Sequence, residues 1–409
     1  MVERMLYMDK ITSLMDLNLI KIITGIRRCG KSYFFSLIID YLKNNGVNEE
    51  DILLIDLELP QYNHIETREE LDEIVLDFLE KHENNVYLFF DEIQNVSKWE
   101  ISINGYFKLS NTNIFITGSN SKLLSKELAT FLTGRYISIE MYPFSFNEFL
   151  DYKNELGEKP LLENEFNTEI ENYFNEYLSF GGLPVTIDSK NHKEITLNDL
   201  YNSILLHDIV ERFEIRNVGL FNRITKFLVE NIGNLTSANA VYTYLKHDLK
   251  ISKSTIYNYL EYLENAYLFS KVSREDLTGK KEIVGSEKYY LIDQGFYKSQ
   301  LEEKQHNIGK LLENIVYLEL IRNGCKVTVG CINDYEIDFV CRKDNEKFYI
   351  QVSYHLETEE TKEREFKPLM LIKDNYPKYV LSMDKENHSR DGIVHIHIIK
   401  FLREFFYEN

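Results

Sequence analysis

The stretch that most constrains this chain is GIRRCGKS, residues 25 to 32. It follows the apolar run IKIIT and precedes a run with helical periodicity, so a glycine-bounded loop connects a strand to a helix. Glycines at both ends let the backbone curl until successive N–H groups face inward, and the N-terminus of the next helix adds positive potential. The complete match to G-x-x-x-x-G-K-[ST] therefore predicts a loop that holds the phosphates of a nucleotide.

Two side chains of this loop have predicted chemical roles. Lys31 is expected to neutralise the β and γ phosphates, and the Ser32 hydroxyl is expected to bind Mg²⁺. Arg27, Arg28 and Cys29 fill variable positions whose side chains can point away from the nucleotide, and we assign them no catalytic role. Contacts to the nucleotide are expected from Gly25, Ile26, Arg27, Arg28, Cys29, Gly30, Lys31, Ser32 and Tyr33.

A pair of carboxylates follows a second apolar run, VYLFFDEIQ. In parallel α/β folds the strand ends meet the phosphates, so Asp91 is predicted to bind Mg²⁺ through water and Glu92 to polarise the attacking water. A solvated strand end is the alternative interpretation of an isolated Asp-Glu pair. Its occurrence together with GIRRCGKS favours the catalytic one.

Two further positions have open alternatives. The run NIFITGSNS places Ser119 or Asn120 where a polar group can hold the attacking water, although an ordinary turn that caps the next helix fits equally well. In FLTGRYISIEM, Arg135 either reaches the γ-phosphate of a neighbouring subunit or is a surface arginine paired with an acid. If the first interpretation holds, hydrolysis requires assembly.

Length and charge limit what the rest of the chain does. A chain of 409 residues is too long for one ordinary core, so we expect two to four domains. A formal charge of −19 excludes a protein that coats nucleic acid with its whole surface, and any contact with DNA must be confined to a patch. The spacing of the four cysteines predicts neither a disulfide nor a zinc site, and no apolar run is long enough to span a membrane. We expect a cytoplasmic protein.

The pattern of apolar residues predicts four parts. Alternating β-rich and helical runs predict a parallel α/β core over 1–160, and mainly helical periodicity predicts a lid over 161–232. Two helices and two strands over 233–300 suit a winged helix-turn-helix, with TGKKEIVGSE (278–287) at the tip of the wing. An α/β unit over 301–409 completes the chain.

The second helix of the predicted helix-turn-helix has residues that suit two kinds of partner. Lys253, Ser254 and Asn258 near its start can contact DNA, but Glu261 and Glu264 on the same helix favour docking of a protein.

Together these motifs resemble a family. GIRRCGKS, VYLFFDEIQ, TGSNS and TGRYI, followed by PFSFNEFL and SFGGLP, look like the bacterial and archaeal AAA+ ATPases whose core precedes a winged helix and a restriction-nuclease-like domain of unknown function. The resemblance implies the ATPase roles above for Lys31, Ser32, Asp91 and Glu92, and an arginine finger at Arg135. It also implies that Pro184 in a Gly-x-Pro turn lies near the nucleotide base. No N-K-x-D motif for guanine is present, so ATP is the expected nucleotide.

The C-terminal unit lacks part of the chemistry that the resemblance implies. Nucleases of this type use an acid on the first helix, an Asp on the second strand and [DE]-x-K on the third. Here Glu313 and Asp338 are present, but Gln351 and Ser353 replace the third acid and the lysine. We therefore expect no DNA cleavage, and we expect Glu313 and Asp338 to be ordinary solvated acids.

The favoured interpretation is a Mg·ATP-hydrolysing switch that acts on a protein partner, with DNA as a second candidate partner and a homo-oligomer as the assembly that Arg135 requires. The first alternative is a nucleotide-gated scaffold with negligible hydrolysis. The second is a metal-dependent nuclease in which another residue replaces the missing lysine.

Overall fold

The structure is a computed structural model, and it describes residues 2–82, 85–109, 111–120, 132, 134–158, 167–245, 252–279, 281–302 and 307–407. The chain divides into two compact units. The first comprises Met1–Tyr142 with Asn265–Tyr267, and the second comprises Pro143–Glu264 with Leu268–Asn409.

The first unit is built on a five-stranded sheet. Its strands are β1 (Ile20–Thr24), β2 (Ile52–Asp56), β3 (Val86–Asp91), β4 (Thr112–Gly118) and β5 (Tyr136–Glu140). Their order is β2-β3-β4-β1-β5, and every neighbouring pair is parallel. Each residue of β1 is buried, as expected for a central strand of a parallel sheet that is covered on both faces.

The helices of this unit alternate with the strands. They are α1 (Met5–Thr12), α2 (Lys31–Asn44), α3 (Arg68–Glu80) and α4 (Trp99–Phe107), with short 3₁₀ turns at Glu49–Asp51 and Ile93–Asn95. A reciprocal capping box sets the start of α3, because the Thr67 hydroxyl accepts from the Glu70 amide while the Glu70 carboxylate accepts from the Thr67 amide.

The second unit begins with helices. These are α5 (Phe146–Glu155), α6 (Thr168–Phe180), α7 (Pro184–Asp188), α8 (Lys193–Ser203), α9 (Val218–Glu230), α10 (Ala238–Leu245) and α11 (Lys253–Asn265), with a 3₁₀ turn at Lys190–His192 and a π-helical segment at Ile204–Glu211. Most of α11 lies in this unit, while its last residue, Asn265, groups with the first.

A seven-stranded mixed sheet follows. Its strands are β6 (Phe269–Asp276), β7 (Lys281–Leu291), β8 (Lys326–Ile332), β9 (Tyr335–Lys343), β10 (Glu346–Val352), β11 (Lys378–Ser382) and β12 (Val394–His397), in the order β12-β11-β10-β9-β8-β6-β7. The remaining helices are α12 (Gly295–Gln300), α13 (Ile308–Arg322), α14 (Glu359–Leu371) and α15 (Ile398–Glu404).

The α/β class and the parallel core predicted from sequence are confirmed, and the apolar runs IKIIT, VYLFF, NIFITG and YISIE all form strands. The predicted boundary at 160/161 lies outside the described residues, and those at 232 and 300 fall within the second unit. The β6–β7 hairpin predicted as a wing shares one sheet with the C-terminal strands, because β6 pairs with β8. The four-part division stays a prediction.

Two local predictions were wrong. The tip of the hairpin is not 278–287, because β7 already begins at Lys281 and most of that stretch is strand. Its polar composition is tolerated because β7 is the edge strand of this sheet, although Glu287 and Tyr289 at its second half form backbone hydrogen bonds with Thr236 and Gly233. The second concerns the run IVHIHII (393–399), which its apolar residues predict to be a strand throughout, whereas β12 ends at His397 and α15 begins at Ile398. No helix that the structure describes is long and apolar enough to cross a membrane, and the expected cytoplasmic location stays a prediction.

Candidate functional site

The glycine-bounded loop connects β1 to α2, as the sequence predicts. A Cβ atom at Gly25 would overlap the carbonyl oxygen of Met141, so the backbone passes too close for any other residue. Gly30 has φ +103°, which favours glycine, and it is the N-cap of α2. No acidic residue occupies the first turn of this helix, so its N-terminal amide groups and positive dipole end suit an anion.

The variable residues of the loop divide by burial. The Ile26 and Cys29 side chains are fully buried, and burial raises the pKa of the Cys29 thiol, which therefore stays neutral. Arg27 is partly exposed and pairs with Glu58 at 3.3 Å. The side chains of Ile26 and Cys29 thus pack in the core and anchor the loop there. Their predicted nucleotide contacts, like those of Arg28 and Tyr33, stay predictions.

Lys31 is the first residue of α2 and is only 4% exposed. Its Nζ lies 3.2 Å from the Gly25 carbonyl oxygen, 3.3 Å from that of Ile26 and 3.3 Å from Glu92 Oε1. Burial alone would lower the pKa of Lys31, but Glu92, Cys29 and Asp91 together raise it more than burial lowers it, so the net shift is upward. The ammonium group is therefore charged, and the carbonyl oxygens of the phosphate-binding loop hold it in place.

Asp91 ends β3 and is 2% exposed. Its carboxylate accepts hydrogen bonds from the hydroxyl groups of Ser32 and Thr117. Burial raises the pKa of Asp91 in spite of these two bonds. A nearby divalent cation would favour the ionised form, and the oxygen ligands of Asp91 and Ser32 are of the kind that Mg²⁺ prefers when phosphates and water complete its coordination. The two residues therefore fit the predicted metal role.

Glu92 follows at φ +52°, a left-handed conformation that is uncommon for a residue with a side chain. Its carboxylate contacts Lys31, the side-chain amide of Gln94 and, at 3.3 Å, the backbone amide of Ser119. Burial would raise the pKa of Glu92, but the charge of Lys31 and these hydrogen bonds lower it overall. Glu92 is thus an ionised carboxylate, as a general base must be.

Thr117 is a site residue that the sequence analysis missed. It lies near the end of β4, next to β3 in the sheet, and its side chain is fully buried. The hydroxyl donates to Asp91 Oδ1 and accepts from the Glu92 amide at 2.9 Å, so one side chain positions both carboxylates. Sequence alone shows a threonine ending an apolar run, but the order of strands that places it beside Asp91 is not visible there. Gln94, two residues after Glu92, was also missed, and its side-chain amide donates to the Glu92 carboxylate.

Ser119 and Asn120 lie just beyond β4 and are buried. The Ser119 backbone amide donates to the Glu92 carboxylate at 3.3 Å, and the Ser119 side chain also forms a hydrogen bond with this carboxylate. Both residues are therefore at the correct strand end, and the water-holding role of Asn120 stays a prediction.

Arg135 immediately precedes β5, whose first residue is in register with Ile20 at the start of β1. The loop follows the opposite end of β1, so Arg135 lies roughly 15 Å away from the loop of its own chain, at about 3.3 Å per strand residue. Its guanidinium donates to the Asn104 side chain and lies 5.9 Å from the Phe107 ring. The alternative of an arginine paired with an acid is not what the described contacts show, and the finger role stays a prediction.

Pro184 begins α7 in the second unit. The turn before it is fixed by the buried carboxylate of Asp293, which accepts from the Gly182 amide at 2.8 Å. A Cβ atom at Gly181 would overlap that same carboxylate. The turn is therefore well defined, and its predicted proximity to the nucleotide base stays a prediction.

The two acids of the C-terminal unit, which were expected to be solvated, form a buried cluster instead. Glu313 and Asp338 are not solvated, because both are largely buried around the ammonium group of Lys288 from β7. Lys288 Nζ lies 2.7 Å from Glu313, 2.8 Å from Glu336 and 3.5 Å from Asp338, and only 2% of its side chain is exposed. This lysine was missed because it precedes the predicted nuclease unit by some residues and lies on a strand assigned to the wing.

The two substituted positions of that unit have structural partners. The Gln351 side-chain oxygen accepts from the Asp338 amide at 3.2 Å, and the Ser353 hydroxyl donates to the His355 carbonyl oxygen at 3.2 Å. Burial and the charge of Glu313 raise the pKa of Asp338 well above its ordinary value despite Lys288. Among the described residues, no group of three or more His, Cys, Asp and Glu side chains has the geometry of a metal site.

The first strand of the parallel sheet leads through a glycine-bounded loop to Lys31, and Asp91 and Glu92 lie at the end of a strand two positions away in the sheet. This arrangement defines a P-loop nucleotide-binding domain. A family described as AAA domain matches residues 17–150, and a domain of unknown function (DUF8612) matches residues 171–307. The chain belongs to the AAA-type P-loop ATPase family.

Relatives extend over almost the whole chain. An uncharacterized protein of Haemophilus influenzae is 35% identical over 405 residues and covers 98% of both chains. An uncharacterized protein of Methanocaldococcus jannaschii is 38% identical over 360 residues, which is 86% of this chain and 78% of the relative. The Walker-type ATPase of Pyrococcus abyssi has 18% identity and a TM-score of 0.49 over 73% of this chain and 95% of its own.

Proposed function

We propose that the protein binds Mg·ATP at the loop from Gly25 to Ser32 and hydrolyses it, and that hydrolysis drives a switch that acts on a protein partner. The observation that carries this proposal is the ionised Glu92 carboxylate, which is buried 3.3 Å from Lys31 and held at a strand end by Thr117 on β4 and Ser119 just after it. A scaffold that only holds ATP has no need of a positioned base.

The pairing of Lys31 with Glu92 suggests how binding and hydrolysis are connected. When the triphosphate enters, its negative charge competes for the Lys31 ammonium, which turns from Glu92 toward the β and γ phosphates. Glu92 then loses its cation and becomes a stronger base, because the removal of a nearby positive charge raises the pKa of a carboxylate. The carboxylate is freed beside the position where the attacking water must lie.

Asp91 and Ser32 would hold the magnesium ion, which neutralises charge on the phosphates when it is bound. Thr117 keeps the Asp91 carboxylate aligned and fixes the strained Glu92 backbone. The helix N-terminus and the amides of the loop bind the phosphates. These residues thus supply positioning and electrostatic stabilisation, which are the main requirements of phosphoryl transfer.

The Glu92→Gln variant separates hydrolysis from binding. Glutamine keeps the shape and the hydrogen bonds of the side chain but cannot accept the proton of water, so ATP binding persists while steady-state phosphate release falls at least a hundredfold. If the wild type releases phosphate no faster than the variant, the nucleotide-gated scaffold replaces the ATPase. Asp40→Asn is the matched control, since Asp40 lies on α2 at an exposed position.

Arg135 is proposed to act on the ATP of a neighbouring subunit in a homo-oligomer, since it is remote from the loop of its own chain. The rate per subunit should then rise with protein concentration, and Arg135→Ala should remove that rise while ATP affinity is unchanged. A rate per subunit that is independent of concentration in both proteins would exclude this role.

The nuclease alternative receives no support from the Lys288 cluster. A catalytic lysine must reach water and substrate, whereas Lys288 is buried beneath three carboxylates. We therefore propose that the C-terminal unit does not cleave DNA and serves recognition. Plasmid incubated with the protein and Mg²⁺ or Mn²⁺ should stay intact, and cleavage that is lost in Asp338→Ala would overturn this assignment.

A protein partner is favoured for the switch because the chain is strongly acidic, and DNA contact through α11 is the second candidate. Glu92→Gln arrests the ATP-bound state, so it is the suitable bait for partner capture from the native cell. A partner recovered with this variant and not with Lys31→Ala would depend on bound ATP.

A further inference from the structure

A row of three basic residues crosses the second sheet. Arg342 on β9 lies directly opposite Lys326 on β8 and directly opposite Lys347 on β10, so the three cations share one face. Like charges at directly opposed positions destabilise a sheet. This arrangement is unexpected in a chain with a formal charge of −19 unless an anion binds there.

Two residues of this row, Arg342 and Lys347, line a groove of about 700 Å³. The β6–β7 hairpin adds Arg274 and Lys281 to its lining, and the segment after α14 adds Lys373 and Tyr376. Within the part of the chain that the structure describes, the Nε atom of Arg274 is buried and has no hydrogen-bond partner. Lys281 and Lys373 are exposed and form no ion pair with any described residue.

Acidic residues neutralise only part of this charge. Glu275 accepts two hydrogen bonds from Arg342, at 2.8 and 2.9 Å. Asp374 lies 3.7 Å from Lys347 and also accepts a hydrogen bond from a tyrosine. Asp276, the remaining acid of the lining, accepts from a backbone amide. Three of the five cations in the lining therefore have no ionic partner among the residues that the structure describes.

Aromatic rings lie between these cations. The Lys347 ammonium is 4.7 Å from the centre of the Tyr349 ring and 5.4 Å from that of Tyr376. Tyr376 is 46% exposed, so one face of its ring is open to a ligand. Burial lowers the pKa of Lys347, and the nearby Arg342 charge lowers it further against the opposing effect of Asp374.

We propose that this groove binds single-stranded nucleic acid. Arg274, Lys281 and Lys373 contact successive phosphates, and an unstacked base lies on the Tyr376 ring, because basic grooves with exposed aromatic rings bind single strands in this way. A duplex keeps its bases stacked inside and would leave Tyr376 without a partner. This binding is independent of the proposed ATPase activity and uses no residue of α11.

The test is fluorescence anisotropy of the full-length protein with labelled oligo-dT and oligo-U of twenty nucleotides in about 50 mM salt. Arg274→Ala/Lys373→Ala should weaken binding at least tenfold. It should also reduce the slope of log K against log salt by about 1.4, since each phosphate contact to a single strand contributes about 0.7. Tyr376→Ala should weaken binding roughly five- to a hundredfold, whereas Tyr376→Phe keeps the ring and binds within twofold of the wild type.

Matched controls make each outcome decisive. Lys43→Ala/Lys81→Ala removes the same charge from two exposed positions of the first unit, one on α2 and one just after α3, and should change affinity less than twofold. Lys31→Ala should bind the oligonucleotides normally, which separates this inference from the ATPase proposal. The groove is excluded if the wild type does not bind either oligonucleotide, or if the Lys43/Lys81 control loses as much affinity as the groove variant. Loss of binding in Lys253→Ala together with normal binding in the groove variants would place the contact on α11 instead.

Discussion

Thr117→Val is a perturbation that tests how the two carboxylates are positioned. Valine is nearly the same shape as threonine, so the fully buried position stays filled while the hydroxyl is lost. The Asp91 carboxylate loses a donor, and the Glu92 amide is left without its acceptor at 2.9 Å. That amide belongs to a residue at φ +52°, so the bond also supports an unfavourable backbone conformation.

The magnitude follows from these two contacts. A hydrogen bond to a charged group contributes about 1.5–3 kcal/mol, and a buried donor without a partner costs about 1–3 kcal/mol. Because the contacts share one hydroxyl and are not additive, we expect the free energy of unfolding to fall by about 2–4 kcal/mol. Phosphate release should fall about a hundredfold, since an error of about 1 Å in positioning a catalytic group has an effect of that size.

Three assays measure these effects separately. Urea unfolding gives the stability, steady-state phosphate release gives the rate, and calorimetry with ATP in EDTA gives the affinity without magnesium. The affinity in EDTA should stay within threefold of the wild type, because Lys31 and the loop are unchanged. Thr117→Ser retains the hydroxyl and should hydrolyse ATP within tenfold of the wild type. A Thr117→Val protein that hydrolyses ATP at the wild-type rate would refute the reasoning.

Three further substitutions have defined outcomes. Gly25→Ala should abolish ATP binding and lower the free energy of unfolding by about 1–3 kcal/mol, because the new Cβ overlaps a backbone oxygen. Gly105→Ala is the control, because a Cβ atom at Gly105 meets open space on the surface of α4. It should leave ATP binding intact and raise the free energy of unfolding by up to about 1 kcal/mol. Lys288→Met should lower the free energy of unfolding by about 3–5 kcal/mol at pH 7, because three carboxylates lose their cation, and the deficit should shrink as acid protonates them. Burial raises the pKa of Asp293 to about 7, so the folded state binds this proton more tightly than the unfolded chain does. The free energy of unfolding of the wild type should therefore decline from about pH 4 to pH 7, and Asp293→Asn should remove this decline.

Each of these has a contradicting result. Wild-type ATP affinity in Gly25→Ala, measured by calorimetry, would show that the close backbone approach is not required. A Lys288→Met deficit in urea unfolding that grows as the pH falls would show that carboxylate repulsion is not its cause. Equal slopes of stability against pH between 5.5 and 7 in Asp293→Asn and wild type would show that this carboxyl group is ionised throughout.

The sequence predicted those parts of the molecule that depend on local pattern. The loop, Asp91 and Glu92 were recognisable because glycine spacing and strand-end carboxylates have a local physical meaning, and their placement in the first unit agrees with the prediction. The helical character of residues 167–232 was also predictable, since apolar periodicity indicates it.

Contacts between distant segments were not predictable. Thr117 is functional only because β4 is the neighbour of β3, and Lys288 reaches Glu313 and Asp338 only because β7 belongs to the same sheet as β9. The early start of β7 was missed because an edge strand with polar residues lacks the apolar alternation that indicates a strand.

The central claim is that the loop from Gly25 to Ser32 binds the triphosphate through Lys31. Titration calorimetry of Mg·ATP into the wild type, Lys31→Ala and Lys43→Ala tests it most directly, since Lys43 is a partly exposed lysine on the same helix. The account predicts saturable heat for the wild type and Lys43→Ala and at least a tenfold loss of affinity for Lys31→Ala. Absence of ATP binding by the folded wild type, or equal affinity in Lys31→Ala, would contradict it.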